Sequence, residues 1–351
     1  MLEFHKGFEG EEKLGAQAGK GKDKGREISD LSLSPYVDDA VRGKPVSDPE
    51  KAQGLYDGIL AYVREVFDKV LEGKEGEIDH EGLLKRTDEY TEKFMNMPSP
   101  SDLVYLAFRN GDYRDNYIYT HSVNVCLLCV RLALGLHYSR VRMAELVTAA
   151  LFHDIGMMKI PVHDWNKDSE LGPSAFQKVT EHPLLGEEIL KEVKGMPEVV
   201  PVIVAQHQEK LDGTGYPKGL QKEEIHYMAR LLGIVNRYEA ETHDRLWRKK
   251  TLPDAAVQDI LDEEGGAYDQ HFLKAILRHI SIFPVGSWVQ ISSGEIGNVI
   301  KVNEDTPMRP VINVVFSRDR KKLEDHRVLD LSKQLLIHVE RCVDEDTLEG
   351  V

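Results

Sequence analysis

Three cysteines in 351 residues are too few for a disulfide framework, and they fit a chain kept in a reducing cytoplasm. No stretch of about 18 apolar residues runs free of charge, so no transmembrane span is expected. The start, Met1-Leu-Glu-Phe-His-Lys, also lacks the apolar region of a signal peptide. Positive charge is short: 45 Lys and Arg stand against 60 Asp and Glu, a net charge of −15. That balance argues against DNA or RNA as partners, and it means that an anionic substrate would need local cations to be held. Cys126 and Cys129 form a CxxC pair, but no second pair completes a zinc site. Both lie in an apolar stretch and read as small core residues.

What is present divides the chain into four parts. Residues 1–27 are rich in Gly, Lys and Glu and poor in apolar residues, which predicts a disordered tail. Residues 28–98 form an N-terminal helical segment, since Leu55, Ile59, Leu60, Tyr62, Val63, Val66, Phe67, Val70 and Leu71 recur at helical spacing. This segment packs on the core or pairs with a second subunit, so a homodimer is one of its two arrangements. Residues 99–283 form a helical core. From 284 to 351 the period changes: 285–291, 296–302 and 310–316 read as short strands split by Gly, Pro and Asp turns, a small β appendage that completes packing. The fold class is therefore mainly α, with a small C-terminal β part.

Four histidines carry the chemistry. His153 and Asp154 sit side by side where the apolar run 141–152 ends, with Gly156 following as a stop. A carboxylate on so apolar a helix is costly to bury unless a cation compensates it, and histidines with carboxylates are what divalent transition metals accept. His121 opens the apolar stretch 122–136, which places it at the edge of the core. His182 precedes Pro183 and an amphipathic run, the pattern of a helix N-cap followed by proline at the first position. His207 lies four residues after Ile203 and so shares a helix face with core side chains. His163-Asp164 and His243-Asp244 lack this context. A single histidine on an apolar helix is ordinarily a satisfied core residue; four at the ends of four apolar helices, one beside Asp154, point to a metal site.

These stretches resemble the HD-GYP branch of the HD metal-dependent phosphohydrolases. The matching residues are Tyr117-Ile-Tyr-Thr-His121-Ser-Val-Asn-Val125, His153-Asp-Ile-Gly156 with Ile160-Pro161, Asn166-Lys167, His182-Pro-Leu-Leu-Gly186, and His207-Gln-Glu-Lys-Leu-Asp-Gly-Thr-Gly-Tyr-Pro217. They follow the family's order over about half the chain, from Tyr113 to Phe283. The resemblance implies an HD-type all-helical domain that holds a pair of divalent ions, iron or manganese, and hydrolyses cyclic di-GMP or a related cyclic dinucleotide. His153 and Asp154 would then be the catalytic pair. The ligands it implies are His121, His153, Asp154, His182 and His207, with Gln208 and Asn236 at two further ligand positions. Gly215, Tyr216 and Arg245 would face the substrate, Arg245 toward its phosphates. For Arg245 a surface arginine in the run 245–250, and for Tyr216 a packing anchor, are the other readings the residues allow.

Several positions depart from the family. Gln208 stands where a second histidine is usual, and Asn236 where an aspartate is usual. Either can offer a neutral carbonyl oxygen, but neither brings negative charge, so the ions should be held more weakly. Met157 replaces a lysine three residues after Asp154, and Lys159 is offset by two. Tyr117 stands where members with a third metal carry glutamate. Two function classes follow. One is a working metal-dependent phosphodiesterase. The other is a degenerate domain that binds a cyclic dinucleotide or a signalling protein partner without turnover. A hydrolase of mononucleotides fits less well, because the GYP loop has no role in it.

Overall fold

The computed structural model describes residues 49–110, 117–165, 172–245, 248–263, 266–303 and 305–348. The predicted tail 1–27, the first part of the segment 28–98, Tyr113 and Asn166-Lys167 lie outside the described residues. The helices run α1 (Pro49–Leu71), α2 (His80–Met95), α3 (Ser101–Arg109), α4 (Tyr117–Gly135), α5 (Arg140–Phe152), α6 (Val162–Trp165), α7 (Pro173–Val179) and α8 (His182–Lys191). They continue with α9 (Val199–Gln206), α10 (Tyr227–Thr242), α11 (Pro253–Asp262) and α12 (Gln270–His279).

One hydrophobic core joins α1 through α12. On α1 the residues Tyr56, Ile59, Val63, Val66, Phe67 and Val70 recur at three- and four-residue intervals, and all are buried. α4 is apolar nearly all round and buried along most of its length, and α5 becomes so from Leu146 onward. Among the described residues α4 is long and apolar enough to cross a bilayer, yet 83% of its most apolar window is buried inside the protein, as befits a central core helix. Cys126 and Cys129 are buried and unpaired on it, and burial pushes both thiols up. α2 begins at Asp79, whose carboxylate accepts the Gly82 N–H at 3.0 Å, a capping contact that satisfies one of the free amides of the first turn.

The C-terminal part is a five-stranded antiparallel sheet: β1 (Trp288–Ile291), β2 (Ile296–Lys301), β3 (Val311–Phe316), β4 (Lys322–Asp330) and β5 (Val339–Val343), in the order β4-β3-β2-β1-β5. The first three match the expected strands, slightly shortened; β4 and β5 are additions. The reason is chemical: Lys-Leu-Glu-Asp-His-Arg-Val-Leu-Asp leaves no face of β4 fully buried, so it carries little of the alternation that marks a half-buried strand. The sheet has its own core of Val289, Ile291, Val299, Ile312 and Val314, and it meets the helices through Leu252 and Phe283. The Asp254 carboxylate of α11 accepts the Cys342 N–H of β5 at 2.8 Å and ties the two parts together.

Candidate metal centre

Each histidine is brought inward by a particular piece of local structure. His121 lies one turn inside α4, so it is fully buried; the expectation that it opens the helix at the core's edge is corrected, because Tyr117 and Ile118 already belong to the helix. His153 follows the last residue of α5, and Asp154 leads into the 3-10 turn Ile155–Lys159. His182 is the first residue of α8, with Glu181 as its N-cap, one residue earlier than the proline pattern indicated. His207 caps the C-terminus of α9.

Two glycines let these pieces close up. A Cβ on Gly156 would stand 2.1 Å from the His182 carbonyl, so only glycine lets the His-Asp turn lie against the start of α8. A Cβ on Gly233 would stand 2.7 Å from the His207 carbonyl, so α10 approaches the centre just as closely.

The side chains converge on Asp154. Its Oδ2 lies 3.7 Å from His121 Nε2 and 3.5 Å from His153 Nε2. Its Oδ1 lies 3.2 Å from His182 Nε2 and 3.5 Å from His207 Nε2. One carboxylate thus serves two trios, His121–His153–Asp154 and Asp154–His182–His207, whose ligand atoms lie within 4.8 Å of one another in each.

On every ring the other nitrogen is engaged. His153 Nδ1 lies 2.9 Å from the Ala150 carbonyl, His182 Nδ1 2.7 Å from Val179, and His207 Nδ1 2.7 Å from Val204. His121 Nδ1 meets the Glu239 carboxylate. Carbonyl oxygens only accept, so Nδ1 carries the hydrogen, and in that tautomer each ring presents the Nε2 lone pair inward.

That tautomer creates a conflict which a cation resolves. His182 Nε2 and His207 Nε2 lie 3.2 Å apart, two lone pairs facing each other beside an anionic oxygen. His153 Nε2 and Asp154 Oδ1 are buried with no hydrogen-bond partner. Buried polar atoms are ordinarily satisfied. The donor set, three imidazoles and a carboxylate with a fourth imidazole, is of the kind that divalent transition metals take. The residues present therefore fit a pair of metal ions.

Protonation follows the same logic. Burial pushes His153 down to about 3, so its ring is neutral at any ordinary pH; burial also lowers His207. Asp154 is held well below the usual carboxylate range: burial opposes ionisation, but a proton on the Nε2 of His153, His182 or His207 outweighs it. Glu239 behaves likewise, with burial outweighed by His121, His243 and Arg245. The sign for stability follows. Unfolded, His153 would titrate near 6.5; folded, near 3, so the unfolded chain binds more protons throughout that window. Metal-free protein should accordingly lose stability as pH falls below about 6.5, with Asp154 adding to the loss at still lower pH. Thermal unfolding in chelator at pH 7.5 and 5.0 checks this, and an unchanged midpoint would contradict the burial of a neutral His153.

Of the remaining expected residues, Tyr216 adjoins this centre through His182, and Arg245 reaches it by way of Tyr117 and His121. Gly215 lies against the backbone of the loop's own start: a Cβ there would stand 2.3 Å from Lys210 N and 2.5 Å from Glu209 Cα. Glu209, buried, accepts the Lys218 N–H at 2.7 Å and the Leu220 N–H at 2.9 Å, fixing the far side of the loop. Tyr216, held by its N–H on the Gln208 carbonyl at 3.1 Å, sets its ring edge-on to His182 with centroids 6.1 Å apart. On the opposite flank, Tyr117 stacks on His121 at 5.4 Å, and the Arg245 guanidinium lies 4.7 Å over the Tyr117 ring.

Gln208 is half-buried directly after His207, and Asn236 is buried on α10 one turn beyond Gly233. Met157 is buried in the turn after Asp154, while Lys159 pairs with Glu75 and points away to the N-terminal segment.

Glu239 is the functional residue the sequence reading missed. It stands three residues after Asn236, hence on the same helix face, and an acidic residue at that spacing on an otherwise apolar stretch was the available signal. Asn124 supports it from α4 with its amide N 3.2 Å from Oε1. His243 supports it from the helix end, 3.4 Å from the same oxygen, while its two ring nitrogens lie on the carbonyls of Glu239 at 2.9 Å and Ala107 at 3.0 Å.

Residues 113–272 match the family described as HD domain, and residues 288–350 match the one described as KOW domain associated with HD domain. A cyclic di-GMP phosphodiesterase of Pseudomonas aeruginosa is 33% identical over 219 residues, covering 62% of this chain and 53% of that protein. The cyclic di-GMP phosphodiesterase PdeB of Borreliella burgdorferi is 27% identical, covering 65% of this chain and 58% of its own length. A 3'3'-cGAMP-specific phosphodiesterase of Vibrio cholerae is 29% identical, covering 57% and 46% respectively. The chain spans about half the length of these curated relatives. In structure it is similar to an HD-GYP-type protein of Bdellovibrio bacteriovorus, with a TM-score of 0.53 and 20% identity over 68% of this chain and 73% of that one, which shows a common fold.

Proposed function

We infer that this chain, which belongs over residues 113–272 to the HD domain family, is a metal-dependent phosphodiesterase acting on cyclic di-GMP or a related cyclic dinucleotide. The observation that carries the reading is the divided carboxylate: Asp154 turns one oxygen to His121 and His153 and the other to His182 and His207. A pair of bound divalent ions supplies two things there, a water acidic enough to act as nucleophile near neutral pH and positive charge against the phosphodiester.

The chain's own residues do the rest. His121, His153, Asp154, His182 and His207 hold the ions, with Gln208 and Asn236 as neutral oxygen donors. The carbonyls of Ala150, Val179 and Val204, with Glu239, keep the rings in the ligating tautomer. Arg245, on the Tyr117 side, offers its guanidinium to a phosphate, and Tyr216, on the His182 side, offers a ring against which a base or ribose packs. Without these cations a chain of net charge −15 would repel a cyclic dinucleotide. Iron and manganese both suit imidazole and carboxylate ligands. The three unpaired thiols agree with a cytoplasmic setting, where such a substrate would serve as a signal.

Gln208, Asn236 and the buried Met157 favour a second reading, a domain that keeps the fold and binds a cyclic dinucleotide or a protein partner without turnover. Elemental analysis of protein purified without added metal, paired with cyclic di-GMP turnover in iron(II) or manganese(II), separates the two. The phosphodiesterase reading expects about two ions per chain and conversion to the linear dinucleotide or GMP. Cyclic di-GMP bound but left intact in both metals would establish the binding module instead.

A further inference from the structure

α1 lies outside the residues that match the HD family, yet its side chains reach the back of the metal centre. Phe67 packs on Phe152, the residue before His153, with ring centroids 6.3 Å apart, and on Tyr119 of α4 at 5.9 Å. The Tyr119 hydroxyl in turn donates to Asp68 at 2.5 Å. α1 thus braces both the helix that carries His121 and the turn that carries His153 and Asp154.

A polar contact runs alongside these apolar ones. Tyr56, buried on α1, lies with its hydroxyl 2.9 Å from Asn124 Oδ1. The direction of this chain is fixed by its neighbours. Asn124 Nδ2 lies 3.0 Å from the Asn110 carbonyl and 3.2 Å from Glu239 Oε1, two acceptors, so the amide NH₂ faces them and Oδ1 is left to accept from Tyr56. Glu239 then takes the Nδ1 hydrogen of His121 on its other oxygen. The route from α1 to the metal-facing Nε2 of His121 therefore has three buried steps, Tyr56 to Asn124, Asn124 to Glu239, and Glu239 to His121.

We propose that Tyr56 is a positioning residue of the metal centre, and that through it α1 is part of the site, setting the orientation of His121 by way of Asn124 and Glu239. The proposal rests on the reading of the histidine cluster as a metal centre. Its physical basis is that a carboxylate behind a ligating imidazole fixes the ring only as well as it is itself fixed. The Tyr56 hydroxyl holds the Asn124 amide in the one orientation that serves Glu239. A displacement of α1 would reach the ligand by the same route.

The test is manganese(II) affinity of the full chain, measured by chelator competition, together with ¹⁵N signals of the histidine rings in metal-free protein. Tyr56→Phe should weaken manganese binding by about tenfold, the low end of what loss of a partner behind a ligand costs, and should shift the His121 ring signals. Tyr90→Phe is the control. It removes another hydroxyl bonded to α1, on α2 and donating to the α1 carbonyl of Gly58 at 3.2 Å, and it should cost stability while leaving affinity and ring signals unchanged. Parent-like affinity in Tyr56→Phe, or equal weakening in Tyr90→Phe, overturns the proposal while the metal-centre reading stands. A parent chain that takes up no manganese overturns both.

Discussion

Asp154→Ala should empty the whole metal centre, not half of it. The two trios share no other residue, and each of the carboxylate's oxygens faces one of them. Removing it deletes the only formal negative charge that either trio contains, and leaves two pairs of neutral imidazoles to compete with water for the ions. Bound metal should fall from about two ions per chain to near zero, and turnover of a cyclic dinucleotide by on the order of 10³-fold or more. His153→Ala, by contrast, removes a ligand from one trio alone, so about one ion should remain.

Helical content should be unchanged in both variants, because the two side chains lie beyond the end of α5 and contribute to the site rather than to the core. Elemental analysis with far-ultraviolet circular dichroism checks this. An Asp154→Ala chain that keeps full metal content would make the cluster a structural one. A His153→Ala chain that loses everything would mean that the two trios are one coupled site.

How much of this was legible beforehand depends on the kind of signal. The apolar helices α4, α5 and α9 announce themselves by composition, and His121, His153 and His207 are conspicuous because each stands at or near the end of one of them, with His182 at the start of the amphipathic α8. Local sequence could therefore name His121, His153, Asp154, His182 and His207. It could not show that Asp154 turns one oxygen to each pair, since that depends on how α4, α5, α8 and α9 come together in space.

Glu239 went unread for a related reason. It contacts the site through His121, 118 residues away in sequence, and nothing in its own neighbourhood marks it apart from the three-residue interval to Asn236. The role of α1 was invisible to pattern as well, because its apolar periodicity explains it fully as a packing helix and Tyr56 sits on the buried face like its neighbours. In the sheet, β4 escaped because its charged residues blur the alternation on which strand reading relies.

The departures at 208 and 236 give the last prediction, and it runs toward gain. Asn236→Asp changes one atom and adds an anionic oxygen on α10, one turn beyond the place where Gly233 lets that helix touch His207. Gln208→His adds an imidazole directly after His207, at a half-buried position. Together they should tighten metal binding by at least about tenfold, as even the loss of a partner behind a ligand costs that much in metal sites. Turnover should rise with occupancy, most at low free metal, because added ligand charge would strengthen binding more than it would alter the chemistry that bound ions supply.

The gain should carry a cost that identifies its cause. Without metal, a further buried carboxylate on the same face of α10 as Glu239 repels it, so the metal-free double variant should unfold at a lower temperature than the metal-free parent. With metal the order should reverse, since ions that bind only the folded chain stabilise it in proportion to their affinity. Thermal unfolding with and without manganese(II), beside cyclic di-GMP turnover, reads both effects. If the double variant binds no more metal than the parent and leaves cyclic di-GMP intact, Met157 becomes the residue that separates this chain from a working phosphodiesterase, because its buried thioether cannot donate to a phosphate oxygen where a lysine could.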